Sequence, residues 1–297
     1  MYDQTFSRHN PGCIVILLDR SDSMKQDWQG SGTTLAKGAA LALNKVLLDL
    51  CIKSTKEVGG AARHYFDIGV FGYGACPTTG GEGVESALGG ALAGQPLVAL
   101  PALFSNPLAV REEAAVPALA SASRESSVDA MPMLSRMPIW VEPISGYRTP
   151  MCQAISVAGS HIYDWVGAHP NSFPPIVINI TDGLVTDSPY EGADLTEWAQ
   201  RLVSIETNDG PLLLLNIFLS AAGQTEVLFP SSANQLPEPG PDLFAISSPL
   251  PPAMVANARA GQLPMQPGAR GFVFNAGLSS LVKFLEIGTR VADIRAH

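Results

Sequence analysis

The chain is short of charged residues, and basic residues are the minority among them. Lys and Arg total 18 against 27 Asp and Glu, so the formal net charge is −9, and only 15% of the 297 residues are charged. No basic stripe interrupts this acidic balance, which argues against binding to nucleic acid or to anionic membranes. Hydrophobic residues make up 46% of the chain, which is typical of a folded protein with a sizeable core.

Signals for secretion and membrane insertion are also missing. Residues 1–6 lack the basic and apolar blocks of a signal peptide, and no apolar run approaches the roughly 18 residues needed to span a bilayer. The cysteines, Cys13, Cys51, Cys76 and Cys152, have no paired spacing. Because Cys13 opens a predicted strand and Cys51 lies on a predicted helix, we expect buried free thiols and a reducing compartment. The chain is therefore expected to be cytoplasmic.

Signatures of two further kinds of site do not occur in the sequence. The Gly-x-Ser-x-Gly elbow is absent, which argues against a serine hydrolase. His161 and His169 lie on or just beyond one predicted helix and His64 precedes a predicted strand, but no further nitrogen or thiolate is in register with them. A zinc site is therefore not expected.

Apolar runs of strand length alternate with helix-periodic segments along most of the chain. Four stripes of apolar residues at helical spacing predict helices that begin near Leu35, Met151, Leu195 and Leu278. Strands are predicted at residues 13–19, 65–72, 175–181, 211–219 and 271–275. This alternation predicts an α/β fold with a doubly wound, mostly parallel central sheet flanked by helices.

Two long stretches do not follow this alternation. Residues 76–148 are rich in Gly, Ala and Pro, with a modest helical tendency at residues 108–125. Residues 221–270 contain many prolines and few periodic apolar positions. Loops of this length are usually functional, disordered or built around small elements. We therefore predict one domain over residues 1–297, with long insertions at these two stretches.

Side chains with hard oxygen ligands lie at three distant points of the chain. Asp19 ends the first predicted strand, and Ser21 and Ser23 alternate after it. Thr149 begins a predicted helix, and Asp182 ends the strand that follows this helix. Ligands bind outside the carboxyl ends of parallel strands, and the amino end of such a helix lies at the same edge, so we expect these side chains to meet. Carboxylates and hydroxyls without His or Cys are the ligands that Mg²⁺ prefers.

Other interpretations of these residues were weighed beside metal binding. Each of them alone could cap a helix or a turn, since Asp, Ser and Thr favour such positions; the five together favour a metal. The neighbouring Asp22 and Asp187 are expected to be solvated loop residues, and Arg20 is expected at the surface.

An enzymatic alternative is a phosphotransferase of the haloacid-dehalogenase type. Such enzymes also place an Asp at a strand end near Mg²⁺, and they use a second Asp two residues later as acid and base. Ser21 occupies that position here, which removes the proton donor for the leaving group. We therefore predict that the chain is not an enzyme, with this phosphotransferase as the alternative.

The string Asp19-x-Ser21-x-Ser23 with the distant Thr149 and Asp182 resembles the metal-ion-dependent adhesion site of von Willebrand factor type A domains. The resemblance implies the vWA, Rossmann-like form of the predicted fold, with Mg²⁺ as the ion and Mn²⁺ or Ca²⁺ as alternatives. It also implies that the three hydroxyls bind the metal directly, while the two carboxylates act partly through waters. One coordination position then stays open for an acidic residue of a partner protein.

The chain is also similar to stand-alone bacterial members of this family. The similarity lies in Ser172-Phe173-Pro174-Pro175, before the strand that ends at Asp182, and in the segment at residues 270–275, before a last predicted helix. Cytoplasmic bacterial members are often associated with protein kinases, PP2C-type phosphatases or MoxR-type ATPases, so the resemblance implies an adaptor in a signalling or regulatory system. It further implies one antiparallel edge strand, expected near residues 84–88 or 139–141.

Overall fold

A computed structural model describes residues 1–55, 60–113, 135–223, 225–234, 236–260, 265–277 and 280. Within these ranges the strands are β1 (Gly12–Arg20), β2 (Phe66–Cys76), β3 (Gly81–Ser86), β4 (Val98–Ala99), β5 (Ala109–Glu113), β6 (Ser135–Ile139), β7 (Ile176–Thr181), β8 (Glu206–Thr207), β9 (Gly210–Pro211), β10 (Leu213–Phe218), β11 (Val227–Leu228) and β12 (Phe272–Phe274). The helices are α1 (Leu35–Lys53), α2 (Leu100–Ser105), α3 (Met151–Ala168), α4 (Leu195–Val203), α5 (Gly240–Ile246) and α6 (Pro252–Ala260).

One central sheet of eight strands organises the molecule. Its order is β11-β12-β10-β7-β1-β2-β3, and β4 pairs with β2 beside β3. The inner strands β12, β10, β7, β1 and β2 are parallel, whereas β3, β4 and β11 are antiparallel to their neighbours. The predicted α/β fold with a doubly wound, mostly parallel sheet is therefore confirmed. An antiparallel edge strand lies at Gly81–Ser86, close to the first of the two expected positions; the second, near residues 139–141, is wrong.

The sheet is covered on both faces. Every residue of β1, β7 and β10 is buried, as expected for parallel strands between two layers of helices. Helix α1 packs in the apolar core on one face, and α3 and α4 pack in the core on the other. Among the described helices, none combines the length and the apolar character that a membrane crossing requires.

The five predicted strands correspond to β1, β2, β7, β10 and β12, with one clear difference in length. Strand β2 continues to Cys76, although Gly72 and Gly74 read as strand breakers. These glycines make room for a neighbour: a Cβ on Gly72 would lie 2.3 Å from Nε of Arg20, and one on Gly74 would lie 2.7 Å from its carbonyl carbon. Position 72 is glycine because the side chain of Arg20 passes over it toward Glu85 of β3.

Both stretches predicted as insertions contain ordered elements. The first contributes β3 and β4 to the central sheet, and the second contributes β11 and α5. The helical tendency predicted for residues 108–125 is wrong at Ala109–Glu113, which forms β5 and pairs antiparallel with β6. Residues 114–125 of that prediction lie outside the described part of the chain, as does nearly all of the last predicted helix.

The four cysteines are buried and free. Burial raises the pKa of Cys51 to about 12 and that of Cys152 to about 12. Thiols in this state are poor nucleophiles. The expectation of buried free thiols is confirmed for the four cysteines.

Candidate metal site

Asp19 is fixed at the carboxyl edge of the sheet by two hydrogen bonds. Leu18 of β1 pairs with Ile180 of β7, so the residues that follow them lie side by side. The hydroxyl of Thr181 donates to Oδ2 of Asp19 at 2.6 Å, and the backbone N–H of Ser21 donates to its Oδ1 at 2.7 Å. The side chain of Asp19 is therefore buried and held in one orientation.

The serine hydroxyls lie between the two carboxylates. Ser23 belongs to a short 3-10 turn at Asp22–Lys25, directly after β1. Its Oγ lies 3.0 Å from Oγ of Ser21 and donates to Oδ1 of Asp182 at 2.8 Å. The structure thus joins the first and third sequence segments through hydroxyl-to-carboxylate contacts.

Thr149 reaches the same place from the amino end of α3. Its backbone N–H donates to Oγ1 of Thr186 at 2.9 Å, and the N–H of Thr186 donates back to its carbonyl at 3.1 Å. A Cβ placed on Gly183 would lie 3.3 Å from Oγ1 of Thr149, 3.5 Å from Oγ of Ser23 and 3.9 Å from Oδ2 of Asp19. Oxygens from two distant segments therefore lie around one point beside Gly183, which belongs to the third segment, and the glycine keeps that point open.

Burial disfavours the ionised forms of both carboxylates. Burial raises the pKa of Asp19, although hydrogen bonds from Ser21 and Thr181 oppose the shift. Burial, and next the negative charge of Asp19, raises the pKa of Asp182 to about 7. A cation among these oxygens would favour both ionised forms, since an opposite charge stabilises a carboxylate.

The donor set fits a small hard cation. In the described ranges no three His, Cys, Asp or Glu side chains cluster as metal ligands, so a cation here would be held by two carboxylates and three hydroxyls. Such all-oxygen sets suit Mg²⁺ and Mn²⁺. The two negative charges balance a doubly charged ion, and the neutral hydroxyls add ligands without adding charge.

Sequence reasoning missed three residues that build the site. Thr181 orients Asp19, and Thr186 positions Thr149. Asp187, expected to be a solvated loop residue, instead accepts hydrogen bonds from the backbone N–H groups of Cys152 at 3.0 Å and Gln153 at 2.8 Å. It thereby caps the first turn of α3. Of these three residues, only Thr181 could have been found from the sequence, because it is a hydroxyl residue directly before an Asp at a strand end.

The expectation that Arg20 lies at the surface is wrong. Arg20 is 2% exposed, and its guanidinium pairs with Glu85 of β3 at 3.1 Å. Burial lowers the pKa of Arg20, and the charge of Glu85 opposes that shift. Its backbone carbonyl also accepts from Gly146 N–H at 2.8 Å, so Arg20 ties the end of β1 to the loop before Thr149. Asp22 is exposed as expected and pairs with Lys25.

Comparisons with known proteins add distant structural likenesses only. No protein-family model and no curated protein matches the sequence. The manganese-loaded TRAP protein of Plasmodium vivax is similar at 14% identity and a TM-score of 0.42, over 93% of this chain and 72% of that one. The pilus adhesin SpaC of Lactobacillus rhamnosus GG is similar at 11% identity and a TM-score of 0.48, over 97% of this chain and 31% of that one. The chain thus spans about a third of the adhesin, and the fold assignment rests on the observed sheet.

Proposed function

We propose that this chain is a non-enzymatic module that binds partner proteins through a divalent cation held by the five side chains described above. One observation carries the proposal: hydroxyls of Thr149 and Ser23 and a carboxylate oxygen of Asp19 surround one point beside Gly183. Helix capping does not explain this convergence, because Asp187 caps α3 and Asp19 accepts from Ser21 and Thr181. Mg²⁺ is the ion we propose, with Mn²⁺ or Ca²⁺ as alternatives.

The hydrogen bonds of the site suggest different roles for the carboxylate of Asp19 and for the hydroxyls. Asp19 already accepts from a backbone N–H and from the hydroxyl of Thr181, so it is suited to hold the cluster in shape. The hydroxyls of Ser23 and Thr149 lie beside the shared point, and the hydroxyl of Ser21 lies 3.0 Å from that of Ser23. When bound, the cation supplies an open coordination position that an acidic side chain of a partner can fill, a strong and directional contact.

The presence of a serine at position 21 favours a binding role over phosphoryl transfer. The alternative, a haloacid-dehalogenase-type phosphotransferase, needs an acid there. The chain has Ser21, whose hydroxyl lies 3.0 Å from that of Ser23. A hydroxyl at this place supplies no proton of suitable acidity to a leaving group. Generic phosphate esters should therefore not be turned over in the presence of Mg²⁺.

The cellular setting belongs to the same proposal. An adaptor that engages an acidic residue in a bacterial cytoplasmic system, alongside a kinase, a PP2C-type phosphatase or a MoxR-type ATPase, agrees with the motif resemblance. The acidic balance of the chain, −9 overall, agrees with a protein partner rather than a nucleic acid.

Isothermal titration with Mg²⁺ tests the proposal directly. We expect saturable binding to the wild-type chain and none to the double variant Asp19→Ala with Asp182→Ala. The matched control is Asp22→Ala, because Asp22 is an exposed acid beside the site, and it should bind as the wild type does. Far-UV circular dichroism verifies that each variant is folded. Wild-type protein that does not bind, or a double variant that binds equally well, would refute the proposal.

A further inference from the structure

Two large apolar side chains are exposed beside the candidate cation site. Leu184 follows Gly183 and is 64% exposed, and Tyr147 lies two residues before Thr149 and is 52% exposed. Scattered exposed apolar residues are ordinary in soluble proteins. These two, however, belong to the two loops that Thr149 and Thr186 join by reciprocal hydrogen bonds. Both exposed apolar residues therefore belong to the loops that carry the candidate ligands, and the backbone of Tyr147 contacts Asp22, which lies between the two serines.

The backbone holds Tyr147 in an unusual conformation. Its φ is +66°, in the left-handed region that bulky residues rarely adopt. Contacts on both sides fix it: the hydroxyl donates to the carbonyl of Gly80 at 2.8 Å, and the carbonyl of Tyr147 accepts from Asp22 N–H at 2.9 Å. Such strain persists only where the surroundings determine the conformation, and it concentrates at functional sites. The ring is thus exposed and already ordered, which lowers the entropy cost of binding.

The basic side chains near the candidate cation site already form ion pairs with acidic side chains. Lys25 pairs with Asp22, and Arg148 pairs with Glu82 at 2.9 Å. Together with the buried Arg20, which is next to Ser21 and pairs with Glu85, these are the basic side chains closest in sequence to the serines and to Thr149. The net charge of the chain is −9, and the basic side chains near the site already have acidic partners, so a run of acidic residues on a partner would be disfavoured away from the cation.

We infer that the partner segment presents a single Asp or Glu with a large apolar or aromatic side chain within about three residues of it, and not an acidic run. The inference rests on the proposed function. The cation takes the carboxylate, while Leu184 and Tyr147 pack against the apolar neighbour. Rigid aromatic residues with an apolar companion are typical of the energetically dominant part of protein interfaces.

Selection from random peptides on phage tests this inference. The immobilised protein is exposed in Mg²⁺ to a library of random dodecapeptides, and bound phage are eluted with EDTA. We expect the eluted peptides to share one acidic residue with Leu, Ile, Phe, Tyr or Trp within about three positions. Eluted peptides with acidic runs, or with an isolated acid and no apolar neighbour, would overturn the inference and leave the cation-mediated function standing.

Variants then assign the apolar contact to named residues. For a synthetic copy of the best peptide, we expect Leu184→Ser and Tyr147→Asn each to weaken binding about tenfold, since Asn tolerates the left-handed conformation. Tyr163→Ser is the control: Tyr163 is 71% exposed, but it lies twelve residues along α3 from Met151, or about 18 Å. Mg²⁺ affinity should be equal in all three variants. Unchanged peptide affinity in Leu184→Ser and Tyr147→Asn would count against the inference.

One result would overturn both proposals. If no peptide is eluted by EDTA although Mg²⁺ binds in the calorimeter, binding of partners through the cation fails, and the inference about their sequence fails with it.

Discussion

At the level of single side chains, the site brings together groups whose charges are costly to bury. Asp182 meets the buried Asp19, and Arg20 is nearly inaccessible with one carboxylate as its partner. Buried ionised groups persist where a counter-charge compensates them. For Arg20 that charge is Glu85, and for the two aspartates we propose a cation. The raised pKa of Asp182 and the Arg20–Glu85 ion pair can each be tested by unfolding experiments.

The first prediction concerns pH and the carboxylate of Asp182. Its pKa in the folded protein is about 7, against an ordinary value of 3.8, so between these values the folded protein binds more protons than the unfolded chain. In EDTA, the free energy of unfolding should therefore fall as pH rises through this window. Urea unfolding at pH 5 and pH 8 measures it. Asp182→Asn should show a smaller fall than the wild type, and equal falls would contradict the prediction.

The second prediction concerns the buried ion pair. Arg20→Ala leaves Glu85 without its partner and should lower the free energy of unfolding by about 3 kcal/mol. Arg20→Met with Glu85→Leu removes both charges and should recover most of that loss. Arg148→Ala breaks the exposed pair with Glu82 and should leave stability nearly unchanged. Urea denaturation of the variants measures all three. A double variant as unstable as Arg20→Ala would show that the packing of the arginine, not its charge, matters.

At the level of helices and strands, the ends of the elements position the ligands. Strands β1 and β7 end side by side, and α3 begins next to them. Helix α3 is capped by Asp187 from the loop after β7, whereas α4 is capped by its own Asp194 in a capping box with Glu197. One cap therefore links two segments of the site, and the other is local.

The two caps should differ in their effect on metal binding. Asp187→Ala and Asp194→Ala should each cost about 1 kcal/mol of stability, the usual cost of losing a capping carboxylate. Only Asp187→Ala should also weaken Mg²⁺ binding, because the loop that orients Thr149 loses an anchor. Calorimetric titration beside urea unfolding makes the comparison. Equal Mg²⁺ affinities in the two variants would show that Asp187 has no part in positioning the site.

A glycine comparison tests the crossing of β2 by Arg20. Gly72→Ala places a Cβ 2.3 Å from Nε of Arg20 and should lower stability by more than 1 kcal/mol, the usual range for overpacking being about 1–3 kcal/mol. Gly167→Ala, in the last turn of α3, has no atom within 4 Å of the new Cβ. That change should leave stability equal or raise it by about 0.5–1 kcal/mol. Thermal unfolding of both variants checks the contrast, and similar melting temperatures would contradict it.

At the level of the complete chain, the site lies where residues near 20, 149 and 182 come together. These positions share no local structure; the central sheet and the start of α3 bring them to one edge. A ligand that binds only the folded arrangement must stabilise the whole fold. Metal binding and global stability are therefore linked.

Added Mg²⁺ should raise the melting temperature of the wild-type chain relative to the same protein in EDTA. At a concentration 100 times the Kd, the expected stabilisation is about 2.7 kcal/mol. Asp22→Ala should show the same shift, and Asp19→Ala should show little or none. Scanning calorimetry measures the shifts. A wild-type melting temperature that is equal with Mg²⁺ and with EDTA would contradict binding to the folded state.

Local patterns located the five core strands and the α/β alternation, and they predicted that Asp19, Ser23 and Thr149 would meet at one edge of the sheet. They succeeded because fully buried parallel strands read as continuous apolar runs, and because polar residues at the ends of such strands share one edge. The convergence of Asp19, Ser23 and Thr149 on one point follows from that rule applied to residues far apart in the chain.

The remaining features depended on the packed structure. Arg20 is buried by Glu85, which lies 65 positions away, and the cap of α3 comes from Asp187, 35 positions beyond Cys152. Residues 109–113 form a strand because β6 pairs with them, against their local helical tendency. Hydrogen bonds and ion pairs between distant segments leave no periodic trace along the sequence, so only the assembled sheet shows which partner each of these groups has.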